Sequence, residues 1–151
     1  MPQSLSVVYL HCVFSTKDRV PFLKDPAVRA DIHSELAGIS NRLDCPVRIV
    51  GGVEDHVHIL FRQGRKISQS DWVMEVKRAS SLWIKTRDPR LSSFHWQSGF
   101  GMFSVDATDF EREYRYIENQ EEHHRRYTFK EEFIQLLKDH GMDWEIPYLW
   151  D

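Results

Sequence analysis

The stretch from Cys45 to Arg62, CPVRIVGGVEDHVHILFR, reads as two strands joined by a turn. Cys45–Val50 and His56–Arg62 are rich in Val, Ile and Phe, and Gly51-Gly52-Val53-Glu54-Asp55 between them suits a hairpin connection. Side chains of a strand alternate, so Val57, Ile59 and Phe61 share one face while His56 and His58 share the other. The apolar face needs a cover, and the preceding residues supply one. Asp25 reads as a helix N-cap with Pro26 at the first helical position. Val28, Ile32, Leu36, Ile39 and Leu43 then recur at steps of four and three, giving an amphipathic helix that ends near Asp44. Further upstream, Leu5–Phe14 is apolar on both faces, as a central strand would be, and a polar loop from Ser15 to Lys24 follows it.

Downstream of the hairpin a second helix begins near Ser70 or Asp71, with Val73, Val76, Ser80 and Trp83 inward. Phe94–Val105, with Gly99 and Gly101, reads as a strand or strand pair. Two more helices follow, at about Asp109–Arg126 and Phe129–His140, the second stopped by Gly141. The aromatic tail DWEIPYLWD is expected to dock on the body. The order β, α, β, β, α, β predicts an α+β protein: a ferredoxin-like (RRM-like) βαββαβ antiparallel sheet with helices on one face, plus C-terminal helices. In that arrangement the second sheet face is expected to stay available.

A chain of 151 residues, 41% hydrophobic and 28% charged, fits one globular domain and argues against a disordered or fibrous chain. No apolar run is long enough to span a bilayer, and MPQSLSVVYLHC lacks the basic lead-in and cleavage site of a signal peptide. Cys12 and Cys45 are too few for a disulfide framework and form no CxxC pair. Reduced thiols in a cytoplasmic protein are the expectation. A net charge of −3 excludes a protein that coats duplex nucleic acid through charge alone, but not one with a local basic groove. Arg62, Arg65, Lys66, Lys77, Arg78 and Lys85 are candidates for such a groove, and equally for an ordinary solvated surface. Trp96 and Phe100 could stack on unpaired bases or pack in the core.

Two segments carry chemistry. In DHVHILFR, the imidazoles of His56 and His58 on one pleated face can hold one divalent cation, with Asp55 as a ligand or as an acceptor behind it. Two hydrogen-bonded or solvent-facing strand histidines, with Asp55 as a turn residue, are the plainer alternative. In DFEREYRYIENQEEHHRR, Phe110, Tyr114 and Ile117 form an apolar stripe, with Tyr114 read as a core tyrosine. Tyr116 sits off that stripe, and Gln120, one turn later, shares its flank, read here as an exposed face. A tyrosine that attacks a phosphodiester conserves the bond energy in a covalent phosphotyrosine, and a cation on the phosphate would help it. An exposed helix tyrosine without chemistry is the alternative. His123 and His124 read as polar residues at a helix end, favoured by the helix dipole. His11 and His95 could reach the sheet face, while His33 and His140 read as helix-surface residues.

Taken together these segments resemble the single-tyrosine HUH transposases of small bacterial insertion sequences, the TnpA-like enzymes. The resemblance runs through HCVFSTKDRVPFL, GGVEDHVHILF, VKRASSLWIK, FHWQSGFGMFSV, YIENQEEHH and the terminal YLWD, and so covers a single domain over 1–151. It implies a nucleophile helix at about 109–126 and a C-terminal helix and tail at about 129–151. By the same resemblance His56 and His58 match the cation-binding histidines, Tyr116 the nucleophile and Gln120 the third protein ligand. The implied activity is metal-dependent cleavage and rejoining of single-stranded DNA at hairpins of the element ends, through a 5′-phosphotyrosine link and a freed 3′-hydroxyl. Mg or Mn is the implied cofactor. A homodimer is the implied assembly, in which the tyrosine helix can serve the partner's histidines, and any hinge would lie in Asp106–Asp109. The sequence lacks the YxxxxNP-type pattern of the repeat-associated branch, which favours the insertion-sequence branch. Two other functions fit the same residues: a non-catalytic single-stranded nucleic-acid-binding protein on this fold, and a phosphoester hydrolase that uses water in place of Tyr116.

Overall fold

The computed structural model describes residues 2–151. Four antiparallel strands form one sheet: β1 (Tyr9–Ser15), β2 (Val47–Gly52), β3 (His56–Arg62) and β4 (Gly101–Val105), in the order β2-β3-β1-β4. Helices α1 (Pro26–Arg42) and α2 (Gln69–Arg87) make the two crossovers. This is the ferredoxin-like βαββαβ arrangement expected from the element order. No helix among the described residues is long and apolar enough to cross a membrane.

Strand alternation divides the sheet as the hairpin predicts. Leu10, Cys12 and Phe14 of β1 and Val57, Ile59 and Phe61 of β3 join the core under α1 and α2. Helix α1 meets it through Val28, Ile32, Leu36 and Ile39, and Asp25 caps the helix by accepting from the Ala27 amide. On α2 the buried apolar residues are Trp72, Val73, Val76 and Ile84, so Trp83, expected inward, is only half-buried. The indoles in this core find partners: Trp72 Nε1 donates to Ser40 Oγ and Trp96 Nε1 to Ser80 Oγ, both at 2.9 Å. Burial of Trp96 removes it as a base-stacking surface.

The opposite sheet face is covered, contrary to the expectation that it stays open. Helix α3 (Phe110–Glu118), the short α4 (Gln120–His123) and α5 (Phe129–Asp139) lie there. Phe129, Phe133 and Leu137 of α5 form a second core with Val13 and Phe103, and Trp144, Leu149 and Trp150 of the tail pack on it. The reason lies in one row across the sheet, where Gly51, His58, Val13 and Gly101 are successive cross-strand neighbours. A Cβ on Gly101 would come within 2.7 Å of the Phe133 ring. Glycine at the outer positions of this row lets helices approach the backbone closely.

Several boundaries differ from the sequence reading. Strand β1 starts at Tyr9 rather than Leu5, because its partners end opposite Tyr9, at Arg62 and Val105. Leu5, Val7 and Val8 are exposed. Helix α1 stops at Arg42, and Asp44, at φ 58°, turns the chain toward β2. The expected single helix from 109 to 126 is interrupted at Asn119 (φ −94°, ψ 22°).

Candidate active site

The site is built on the covered sheet face, where β1 and β3 present His11, His56 and His58, all fully buried. Each histidine that faces the centre is held from behind. His56 Nδ1 lies 2.8 Å from the Asp55 carboxylate, which makes Asp55 an acceptor behind the histidine. His124 Nδ1 lies 2.7 Å from the Tyr127 carbonyl oxygen. His58 Nδ1 lies 2.7 Å from His11 Nε2, and His11 Nδ1 lies 2.6 Å from the Glu113 carboxylate. Carboxylate and carbonyl oxygens accept, so Nδ1 of His56 and of His124 donate. The Glu113 carboxylate beside His11 Nδ1 favours a proton on that nitrogen and leaves His11 Nε2 as the acceptor for His58. The Nε2 atoms of His56, His58 and His124 are thereby all turned to one point, the arrangement metal-ligating imidazoles have.

A carboxylate meets them there. Glu132 Oε1 lies 3.2 Å from His56 Nε2, 2.9 Å from His58 Nε2 and 3.1 Å from His124 Nε2. Gln120 Oε1 is 2.9 Å from His124 Nε2 and 3.3 Å from His56 Nε2, so the expected amide also reaches the cluster. Tyr116 completes it: its phenol donates to Glu132 Oε2. The flank shared by Tyr116 and Gln120 is therefore turned inward onto the histidines, not exposed, and Tyr114 is half-buried rather than central to the core. The reason is that Ile117, fully buried against β2, anchors α3 and brings its neighbours over the sheet.

The electrostatics suit a cation. Burial drives His58 down to about 3 against the pull of Glu132, so its imidazole is neutral. Burial also opposes a charge on His56, but Asp55 and Glu132 outweigh it and hold its pKa up at about 9. For Glu132 burial works upward, yet His58, His124 and His56 hold the carboxyl well below its usual range. Burial, then the Glu132 charge, push the Tyr116 phenol above its ordinary value. Without an ion, a proton on His56 balances the buried Glu132 carboxylate; a divalent ion would take over that charge and free the His56 Nε2 lone pair to bind it. His56, His58, His124 and Glu132 bring one ligand atom each to within 4.8 Å of one another. The donor set thus fits a divalent cation.

The six cations expected to share a groove are divided. Arg62, Arg65 and Lys66 line one depression, together with the exposed segment Ser4–Val7. Lys77 does not join them: burial lowers its pKa to about 8, and its ammonium donates to the carbonyls of Gln97 and Gly99 at 2.8 and 2.6 Å. Arg78 is engaged with Glu75 at 2.6 Å, and Lys85 lies about two turns beyond Lys77 on α2. A different set of cations, Arg112, Arg115 and Arg126, lines a depression that opens beside Tyr116 and Tyr127.

His11, expected to reach the sheet face, does so; His124, expected as a polar helix-end residue, instead joins the cluster, and the sequence reading named neither Glu132 nor Glu113. Two of these left a signal. His124 follows Gln120 by one helical turn, and Glu132 interrupts the apolar face Phe129, Phe133, Leu136 of α5. Nothing local pairs His11 with Glu113, which meet only through the pairing of β1 with β3 and the docking of α3.

The family model described as transposase, IS200-like, matches residues 4–120, and the chain belongs to that family. Among solved structures it is similar to a candidate transposase from Deinococcus radiodurans R1, with a TM-score of 0.65 and 22% identity over 80% of this chain and 95% of that one. It is also similar to a REP-associated tyrosine transposase bound to a REP hairpin, with a TM-score of 0.55 and 12% identity over 79% of this chain and 72% of that one. At these identities both likenesses concern the fold. No curated protein matches the chain.

Proposed function

We propose that this transposase cleaves and rejoins single-stranded DNA through a covalent 5′-phosphotyrosine on Tyr116, using a divalent cation, Mg or Mn, at His56, His58 and Gln120. The observation that carries the reading is the position of the Tyr116 phenol, in contact with the carboxylate that touches both strand histidines. When bound, the cation would neutralise charge on the scissile phosphate and polarise phosphorus. The chain's own residues supply the rest. Asp55 and His11 fix the two imidazoles, and Glu132 is the nearest acceptor for the phenol proton. The Tyr116 oxygen bonds to phosphorus as the bond to the 3′-oxygen breaks. That oxygen leaves as a hydroxyl after taking a proton from solvent. Rejoining reverses the step with an incoming 3′-hydroxyl.

Arg62, Arg65 and Lys66 are proposed to hold backbone phosphates of a hairpin DNA end. A homodimer fits the family, and Tyr116 beside its own chain's histidines supports a site assembled within one protomer. The reading as a binding module loses ground because the sheet face it would use is buried under α3 and α5. A single-stranded oligonucleotide with a hairpin and flank from the native gene surroundings tests the proposal. With Mg or Mn it should yield a denaturant-resistant adduct and a fragment with a free 3′-hydroxyl. The Tyr116→Phe variant should yield neither. Cleavage by Tyr116→Phe would favour attack by water.

A further inference from the structure

We propose that Glu132 bridges the cation and the nucleophile: Oε1 is a ligand of the ion held by His56 and His58, and Oε2 holds the Tyr116 phenol. The inference rests on the reading of Tyr116 as nucleophile and of the histidine pair as the cation site, and adds to it a residue from α5. Three observations carry it.

The first is spacing. Donors about 2.1 Å from one ion stand about 3.0 Å from their adjacent neighbours in octahedral geometry and about 3.4 Å in tetrahedral geometry. Oε1 keeps distances of 2.9 to 3.2 Å from the three Nε2 atoms. The second is the division of labour within the carboxylate. Oε1 faces the imidazoles of His56, His58 and His124, while Oε2 faces Tyr116, lies 3.2 Å from His123 Nε2 and accepts from Gln120 Nε2 at 3.3 Å. One rigid group therefore spans the ion and the phenol. The third is the rigidity of its support. Helix α5 opens with a capping box of Thr128 and Glu131. It is clamped to the sheet by Phe129, Phe133 and Leu137, and Trp150 of the tail packs on Phe129 and Phe133. Glu132 is buried between two of these anchors. A carboxylate placed on an apolar stripe, one turn from a cap, has its position fixed by the core and not by a flexible loop.

The consequence is that α5, outside the matched family segment of residues 4–120, belongs to the active site. It sets how far the tyrosine oxygen stands from the ion, and a misplacement of about 1 Å can cost about 100-fold in rate.

The test compares wild-type protein with Glu132→Gln, Glu132→Asp, His58→Ala and Tyr116→Phe, each checked for an intact fold by thermal melting. Mn²⁺ affinity is read by electron paramagnetic resonance, the donor set by the visible spectrum of bound Co²⁺, and chemistry by the rate of adduct formation. Glu132→Gln should weaken Mn²⁺ binding about 10-fold or more and change the Co²⁺ spectrum. Glu132→Asp, which keeps the charge but withdraws it by one methylene, should bind Mn²⁺ within about threefold of wild type while forming the adduct at least about 10-fold more slowly. Tyr116→Phe should bind Mn²⁺ as wild type does. Unchanged affinity and spectrum in Glu132→Gln would overturn the bridge. Faster adduct formation in Glu132→Gln would do so too, by showing that the carboxylate obstructs the DNA. Failure of the underlying reading looks different: His58→Ala would keep its Mn²⁺, or Tyr116→Phe its adduct.

Discussion

Gly51 of β2 lies so close to Ile117 of α3 that a Cβ at residue 51 would stand 2.3 Å from the Ile117 carbonyl oxygen. Gly51 is the cross-strand neighbour of His58, and Ile117 is the residue next to Tyr116. The absent side chain therefore sets how closely the tyrosine helix sits over the histidine strand. Gly51→Ala should force α3 away from the sheet. The expected cost is about 2 kcal/mol of stability, the range of an overpacked core, measured by urea unfolding. Adduct formation should slow at least about 10-fold, because the phenol moves with the helix. Wild-type adduct kinetics in a destabilised Gly51→Ala would break this link between packing and chemistry.

The relay Glu113–His11–His58 fixes the His58 tautomer from behind, with no direct contact between Glu113 and the Nε2 site. His11→Leu should leave the fold intact yet weaken divalent-cation binding by about 10- to 100-fold, as loss of an outer hydrogen-bond partner does. Isothermal titration with Mn²⁺ measures it. Unaltered affinity would mean that the sheet alone orients His58.

His33 of α1 gives a pH dependence from outside the donor set. Burial first, then Arg29 and His56, hold its pKa down at about 4 against an unperturbed 6.5. Its Nε2 is buried with no hydrogen-bond partner. Between these two values the unfolded chain binds more protons than the folded one. The stability associated with neutral His33 is thus fully present above pH 6.5 and is lost as pH falls toward 4. Metal-free wild type should lose about 2 kcal/mol more than His33→Gln between pH 7 and pH 5, read from urea unfolding at each pH. Parallel losses in the two proteins would contradict the assignment.

Phe133 joins the second core to the site through its neighbour Glu132. Phe133→Ala should cost about 3 to 5 kcal/mol and loosen α5. Hydrogen exchange should then accelerate in α5 more than in α1, which belongs to the other core. Uniform acceleration would mean that the two cores unfold as one.

The sheet and both crossovers were legible in the sequence because each has a period or a cap that states its face: the alternation in HVHILF, the four-and-three steps from Val28 to Leu43, the Asp25-Pro26 start. Tyr116, Gln120, His56 and His58 were legible as a set through resemblance, and the geometry brings these four side chains together. What escaped was long-range. The inward turn of the Tyr116 flank depends on Gly51, over sixty residues away, accepting Ile117. The covering of the sheet depends on α5, whose apolar stripe does not say which surface it will meet. Lys77 reads as a solvent-facing cation, yet three backbone carbonyls of Gln97, Ser98 and Gly99 take its ammonium only once the chain is folded.

The central claim is that Tyr116 attacks DNA with the help of an ion at the histidine cluster. The direct measurement incubates the protein with a hairpin-bearing single strand and Mn²⁺, isolates the denaturant-resistant product and maps the modified peptide by mass. The account predicts a nucleotide on Tyr116 that is absent when chelator is present or His58 is replaced by Ala. A nucleotide on Tyr114 or Tyr127, or an adduct indifferent to chelator, would contradict it.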